Sequence, residues 1–178
     1  ELVTMMGGAI EVRSELGKGT TFTVTLDHKI AETRHDDRKE IASRKAAAES
    51  LAGLHILLAE DNDLNAEIAM TLLEEAGLKV DRAADGIQCV SRIEKEPAGT
   101  YALILMDIQM PNMDGYQAAE TIRQMRDKKK AAIPIIAMTA NAFEEDRKMA
   151  LSKGMNAHIA KPIDLTKMLA AMQEVIEK

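Results

Sequence analysis

The chain has 178 residues, 46% of them hydrophobic, and a formal net charge of −6, enough apolar material for one domain of ordinary size with an appendage. The acidic balance, without a Lys/Arg stripe interleaved with aromatics, argues against nucleic acid as a partner, and no apolar run reaches the roughly 18 residues of a membrane span. A single cysteine, Cys89, excludes an internal disulfide, fits a reducing cytoplasmic compartment and lies in "GIQCVSRI" on what reads as the packed face of a helix.

The chain opens on "ELVTMM", without an initiating methionine and in what reads as mid-helix. A piece of a longer protein is therefore expected, with any sensor or membrane anchor lying elsewhere. Within residues 1–27, "GGAIEVRSELGKGTTFTVTL" alternates like two strands joined by the Gly-rich turn "ELGKGT". A phosphate-binding loop does not fit, because the glycine needed five residues upstream is missing and no helix follows.

Residues 28–52 are charged and Ala-rich. They read as a linker with too few large apolar side chains to bury anything, helical at most in part and helped by pairs such as Glu40 with Arg44. His35, beside Asp36, has no apolar helix face around it and is a poor candidate for a phosphodonor.

From residue 53 to 178 short apolar runs alternate with helical patterns: "HILLAE", "KVDRAA", "ALILMD", "IPIIAMT" and "AHIAKP". Five βα units with strands apolar on both faces predict a doubly wound α/β domain, a five-stranded parallel sheet covered by helices. Asp85 with Gln88, Asp114 with Gln117 and Asn141 with Glu144 have capping-box spacing, and Gly77 and Gly154 fall where helices end. "RDKKK", Arg126 to Lys130, reads as a solvated loop.

In such a sheet ligands gather at the carboxyl ends of the strands. There this sequence puts Glu60 and Asp61, then Asp107, Thr139 and Lys161. An aspartate at a strand end is often only a turn starter. Three converging carboxylates, however, stay ionised cheaply only with a cation, and oxygen ligands favour a hard ion such as Mg²⁺. Lys161 can pair with Asp107 and grip an anion, Thr139 can donate to the same anion, and Asp107 is then a nucleophile for phosphoryl transfer.

"LLAEDNDLN", "LILMDIQMPNMDG", "IIAMTANAFEED" and "GMNAHIAKPI" resemble the receiver domains of two-component response regulators, most of all those attached to hybrid histidine kinases. The resemblance implies a flavodoxin-like (βα)5 fold. It further implies that Asp107 takes a phosphoryl group from a phosphohistidine, with Mg²⁺ (Mn²⁺ substituting) on Asp61, Asp107 and the backbone carbonyl of Gln109, and on Glu60 through water. Thr139 and Lys161 would hold the phosphoryl oxygens, and Lys161–Pro162 would be cis. Gln109 and Asn141 would occupy the positions associated with phosphoryl lifetime, and His158 the aromatic switch position that works with Thr139. Glu60 and His158 depart from the commoner aspartate and Tyr or Phe, which bears on metal affinity and switching amplitude.

The expected partners are a histidine phosphotransfer protein or the parent kinase's own phosphohistidine domain. Residues 1–27 resemble the C-terminal end of a histidine kinase ATP-binding domain, without the parts that hold Mg²⁺ and adenine, so ATP binding is not expected. An aspartate-nucleophile phosphohydrolase would carry a second aspartate two residues after Asp107, where Gln109 stands. A pseudo-receiver, a binding module without the chemistry, would lack an acid or the lysine.

Overall fold

The computed structural model describes residues 2–5, 7–26, 36–140 and 144–177, and the chain divides into two compact units, Glu1–Asp37 and Arg38–Lys178. In the first, a helical turn α1 (Leu2–Met5) leads to strands β1 (Ala9–Glu15) and β2 (Gly19–Thr25). They pair antiparallel from Ala9 opposite Thr25 to Glu15 opposite Gly19, and the amide of Lys18 closes the turn on the Glu15 carbonyl at 2.9 Å. The predicted hairpin is therefore present. Its register sets Ile10, Val12, Phe22 and Val24 on one face, each at least half exposed.

In the segment expected to be a linker, residues 28–52, partial helix is present as expected, but two of its residues are buried, contrary to the expectation that nothing there would bury. Helix α2 runs over Asp36–Leu51, and its last turns bury Ala47 and Leu51 in the core of the second unit. Two apolar residues four apart share one helix stripe, and the alanines around them keep that stripe slim enough to approach closely. The amide of Gly53 then donates to the Gly77 carbonyl at 2.8 Å, tying the end of this segment to the turn where the next helix stops.

The second unit continues with β3 (His55–Ala59), α3 (Asp63–Glu75), β4 (Lys79–Ala83), α4 (Gly86–Lys95), β5 (Leu103–Asp107), α5 (Gly115–Arg123), α6 (Lys128–Ala131), β6 (Ile135–Thr139), α7 (Glu144–Ser152), β7 (Ala157–Ala160) and α8 (Leu165–Ile176). The strands form one sheet in the order β4-β3-β5-β6-β7, and every pairing is parallel. One side packs Cys89, Val90 and Ile93 of α4, Ala118 and Ile122 of α5 and Ala150 of α7 against Leu57, Ile104 and Ile135. The other packs the end of α2 with Leu73 of α3 and Met168, Leu169 and Met172 of α8 against Ile56, Leu58 and Ile136.

Apolarity on both faces holds for the central strands β3, β5 and β6; the edge strands β4 and β7 are only half covered. Asp85 and Asp114 cap α4 and α5 by accepting from the amides of Gln88 and Gln117 at 2.7 and 2.8 Å. Gly77 and Gly154 follow α3 and α7 with φ of 90° and 83°. His35 and the expected cap at Asn141 lie outside the described residues. "RDKKK" is not a plain loop: Asp127 caps the short helix α6, and its Ala131 is buried.

Cys89 is buried, and desolvation pushes its thiol up to about 12, so it is an unreactive packing residue. At the amino end of the sheet Arg123 spends its guanidinium on oxygens that carry no charge. It donates to the carbonyls of Gly154 (2.7 Å), Ala131 (2.8 Å) and Ile133 (2.8 Å) and to Oδ1 of Asn156 (3.0 Å).

If the end of α2 belongs to the core, Leu51→Ala should cost about 2–5 kcal/mol, the range for a buried leucine truncation. Urea denaturation of residues 38–178 measures it. A midpoint unchanged from the parent would mean that α2 rests on the surface.

Candidate functional site

Strand order reverses at β3, whose neighbours β4 and β5 are reached by connections leaving in opposite directions, so a crevice opens above the carboxyl ends of β3 and β5. The ladders carry the strand ends in step: Ala59 pairs with Met106, Asp107 with Met138 and Thr139 with Ala160. Glu60 and Asp61 follow β3, Asp107 and Thr139 end β5 and β6, and Lys161 follows β7. Nζ of Lys161 lies 2.6 Å from Oε2 of Glu60 and 2.7 Å from Oδ2 of Asp107. Glu60, Asp61 and Asp107 each bring a carboxylate oxygen within 4.8 Å of the others. The structure thus gathers four of the expected site residues.

Charge decides what this arrangement can hold. Glu60 is 1% and Asp107 6% exposed, whereas Asp61 is exposed. Burial lowers the basicity of Lys161, but the hydrogen bonds and charges of Asp107 and Glu60 outweigh it and raise its pKa, so it stays an ammonium. Burial raises the pKa of Asp107, and Lys161, shared with Glu60, does not bring it back to the ordinary carboxylate value. One ammonium facing two buried carboxylates and a third at the rim leaves the pocket short of positive charge. An oxygen-only donor set with that deficit fits a hard divalent cation.

The remaining contacts fix the carboxylates in place. Oε1 of Glu60 accepts from Nδ2 of Asn65 at 3.1 Å, and Oδ1 of Asp107 accepts from the Gln109 amide at 3.3 Å. A Cβ on Gly115 would overlap the Asp107 carbonyl oxygen, so only glycine lets α5 start beneath the strand end. Asp85, besides capping α4, accepts from Nδ2 of Asn112 at 3.0 Å and holds the loop that follows β5. Arg82 of β4 reaches over to the loop bearing Glu60 and Asp61.

Thr139 is half-buried at the end of β6, and its carbonyl accepts from the Lys161 amide at 2.7 Å. His158, half-buried, pairs with Ala137 across the ladder and so occupies the same sheet face as Thr139. Gln109 is exposed at the rim, and Asn141 lies outside the described residues. The Lys161–Pro162 peptide is cis, as the resemblance implies. Sequence reasoning passed over Asn65 and Arg82. Arg82 left a signal, a cation in the middle of the strand pattern "KVDRAA", while Asn65 left none, being one polar residue on a helix.

The family profile described as the response regulator receiver domain matches residues 56–173. The peroxide stress-activated histidine kinase mak1 of Schizosaccharomyces pombe is 40% identical over 72% of this chain and 8% of its own length. The sensor protein EvgS of Escherichia coli K12 is 33% identical over 93% of this chain and 13% of its own. The chain spans only a small part of such curated relatives, from 6% of one to 21% of another. Among solved structures, the receiver domain of a sensor histidine kinase of Pseudomonas aeruginosa, with magnesium ion coordinated in its active site cleft, superposes with a TM-score of 0.63 at 39% identity, covering 71% of this chain and 100% of that one. The receiver domain of Ssk1, crystallised with the Saccharomyces cerevisiae histidine phosphotransfer protein Ypd1, is represented by a match with a TM-score of 0.64 at 27% identity, covering 70% of this chain and 90% of that one.

Replacing Lys161 by methionine tests the charge argument. With its cation gone, the buried pair of carboxylates should cost roughly 3–5 kcal/mol at neutral pH. Asp107, whose pKa burial already raises, would lose the ammonium that lowers it; its folded-state pKa then lies above the unfolded one, so the folded state holds that proton more tightly and the deficit should shrink as pH falls toward the ordinary carboxylate range. Thermal melts against pH in metal-free buffer measure this; a deficit constant with pH would mean that Lys161 acts by packing alone.

Proposed function

The chain belongs to the response regulator receiver domain family, and from that premise we propose that Asp107 is its phosphoacceptor, charged from a phosphohistidine and relaying the group within a phosphorelay. The observation that carries this reading is the ammonium of Lys161 held between Glu60 and Asp107 beside a third carboxylate.

Mg²⁺ would sit on Asp61, Asp107 and the backbone carbonyl of Gln109, with Glu60 acting through water; Mn²⁺ should substitute. Bound there, the ion would offset the charge of the carboxylates and of the incoming phosphoryl oxygens. A carboxylate oxygen of Asp107 attacks phosphorus as the P–N bond breaks, and the electron pair returns to the imidazole nitrogen of the donor. Lys161, already in contact with Asp107, shifts its hydrogen bond to a phosphoryl oxygen without leaving the pocket. The hydroxyl of Thr139 donates to another, so positioning and charge neutralisation account for the catalysis. Gln109, exposed at the rim, and Asn141 fill the positions that would set how readily water reaches the acyl phosphate.

The phosphodonor or acceptor is a histidine phosphotransfer protein or the phosphohistidine domain of the parent chain. The Ypd1 pairing of a structural relative supports the first, and the kinase names of the sequence relatives support the second. On this reading residues 1–27 end a histidine kinase ATP-binding domain, 28–52 connect it to the receiver while the end of α2 packs into the receiver core, and 53–178 form the receiver of a hybrid kinase working in the cytoplasm. Among the described residues no helix is long and apolar enough to cross a membrane.

Incubating the chain with acetyl phosphate and Mg²⁺ and mapping the product by mass spectrometry should place the phosphoryl group on Asp107. Asp107→Asn should accept none, and equal labelling of that variant would refute the assignment.

Signalling needs a further step. A phosphoryl group adds nearly two negative charges, which draw Thr139 inward, and His158, on the same sheet face, rotates into the vacated space. Adding beryllofluoride and Mg²⁺ should shift the resonances of His158 and of α7, and Thr139→Ala should abolish those shifts while Asp107 remains occupied. Silence at His158 in the unsubstituted protein would exclude it from the switch.

A further inference from the structure

Arg82 lies on the edge strand β4, opposite Leu58 of β3. Its guanidinium rises past the end of that ladder into the loop joining β3 to α3. Nε donates to the carbonyl of Glu60 at 3.1 Å and Nη2 to the carbonyl of Asp61 at 3.0 Å. Nη1 pairs with Oδ1 of Asp63 at 2.7 Å. The two carbonyls belong to the peptide planes on either side of the Asp61 Cα. Pinning both planes fixes the direction in which Asp61 projects its side chain.

Asp61 needs such help. Glu60 and Asp107 are buried and bound to Lys161, but Asp61 is exposed, and among the described residues no hydrogen bond or ion pair holds its carboxylate. Its aim therefore comes from its backbone. A positive charge beside a cation site is electrostatically unfavourable for the cation, so attraction does not account for an arginine here. The planar fork does, because one side chain reaches two carbonyls and a carboxylate at once, which a lysine ammonium cannot do in the same geometry.

We infer that Arg82 is a positioning residue for the divalent-metal site, presetting Asp61 for the ion before it arrives; this rests on the metal reading above. Outer-shell groups that orient ligands characteristically govern metal affinity.

Arg82→Lys keeps the charge and loses the fork. Calorimetric titration of the folded protein with MgCl₂ should show Kd rising roughly tenfold. Phosphorylation by acetyl phosphate should need more Mg²⁺ for half-saturation yet reach about the parental rate once saturated, the pattern of a lost binding contribution. A merely structural role would lower the melting temperature and leave the Kd of the folded protein unchanged, and that result would overturn the inference. Should the lysine variant fail to fold, Arg82→Gln carries the test. Removing the positive charge favours tighter binding, so weaker Mg²⁺ binding there reports geometry, and unchanged binding overturns the inference. A parent chain that binds no Mg²⁺ overturns both this inference and the metal reading. A binding parent with an equally binding Arg82→Lys overturns this inference alone.

Discussion

The structure turns on one ammonium between two buried carboxylates. Lys161 comes from the end of β7 and reaches Glu60 after β3 and Asp107 at the end of β5, so one side chain ties together strand ends far apart in sequence. Buried acids of this kind survive only with compensation. Here the compensation is partial, and the deficit gives the site its chemistry. A fully neutralised pocket would be a stable knot, whereas the shortfall here suits a hard divalent cation and underlies the phosphoryl chemistry proposed for Asp107.

The scaffold keeps that unfavourable grouping from relaxing. The carbonyl of Asp107 is packed against the first turn of α5, where Gly115 leaves no room for a side chain, and Asn112 is tied to Asp85 across the crevice. Helices on both sides of β3 and β5 leave the strands no freedom to spread. Rigid apolar strands thus hold their polar ends together, as the fold's placement of sites at strand ends requires.

Much of this was legible in the chain. The five apolar runs became the five strands, and the residues that end or follow them, Glu60, Asp61, Asp107, Thr139 and Lys161, gather at the carboxyl ends, where the apolar sheet gives way to the crevice. The capping aspartates Asp85 and Asp114 were readable from local spacing. Less legible was whatever depends on contacts between distant segments. Ala47 and Leu51 look too sparse to bury until the groove that receives them exists, and the buried Ala131 is hidden in a run of lysines. Arg82 was visible as an oddity in its strand, but nothing local says that its partners are the carbonyls of Glu60 and Asp61.

Arg123 gives the two ends of the sheet different chemical tempers. Its four acceptors are carbonyl and amide oxygens, none of which takes up a proton in the acid range, and although burial lowers its pKa, a guanidinium keeps its charge in proteins. The knot at the amino end is therefore indifferent to acidification. The carboxyl end depends in part on Asp107, whose pKa burial raises, and its protonation weakens the tie to Lys161. Acid should loosen the functional rim while the foot of the sheet stays fastened, so a mildly acidified domain would lose its reactive centre before it loses its shape.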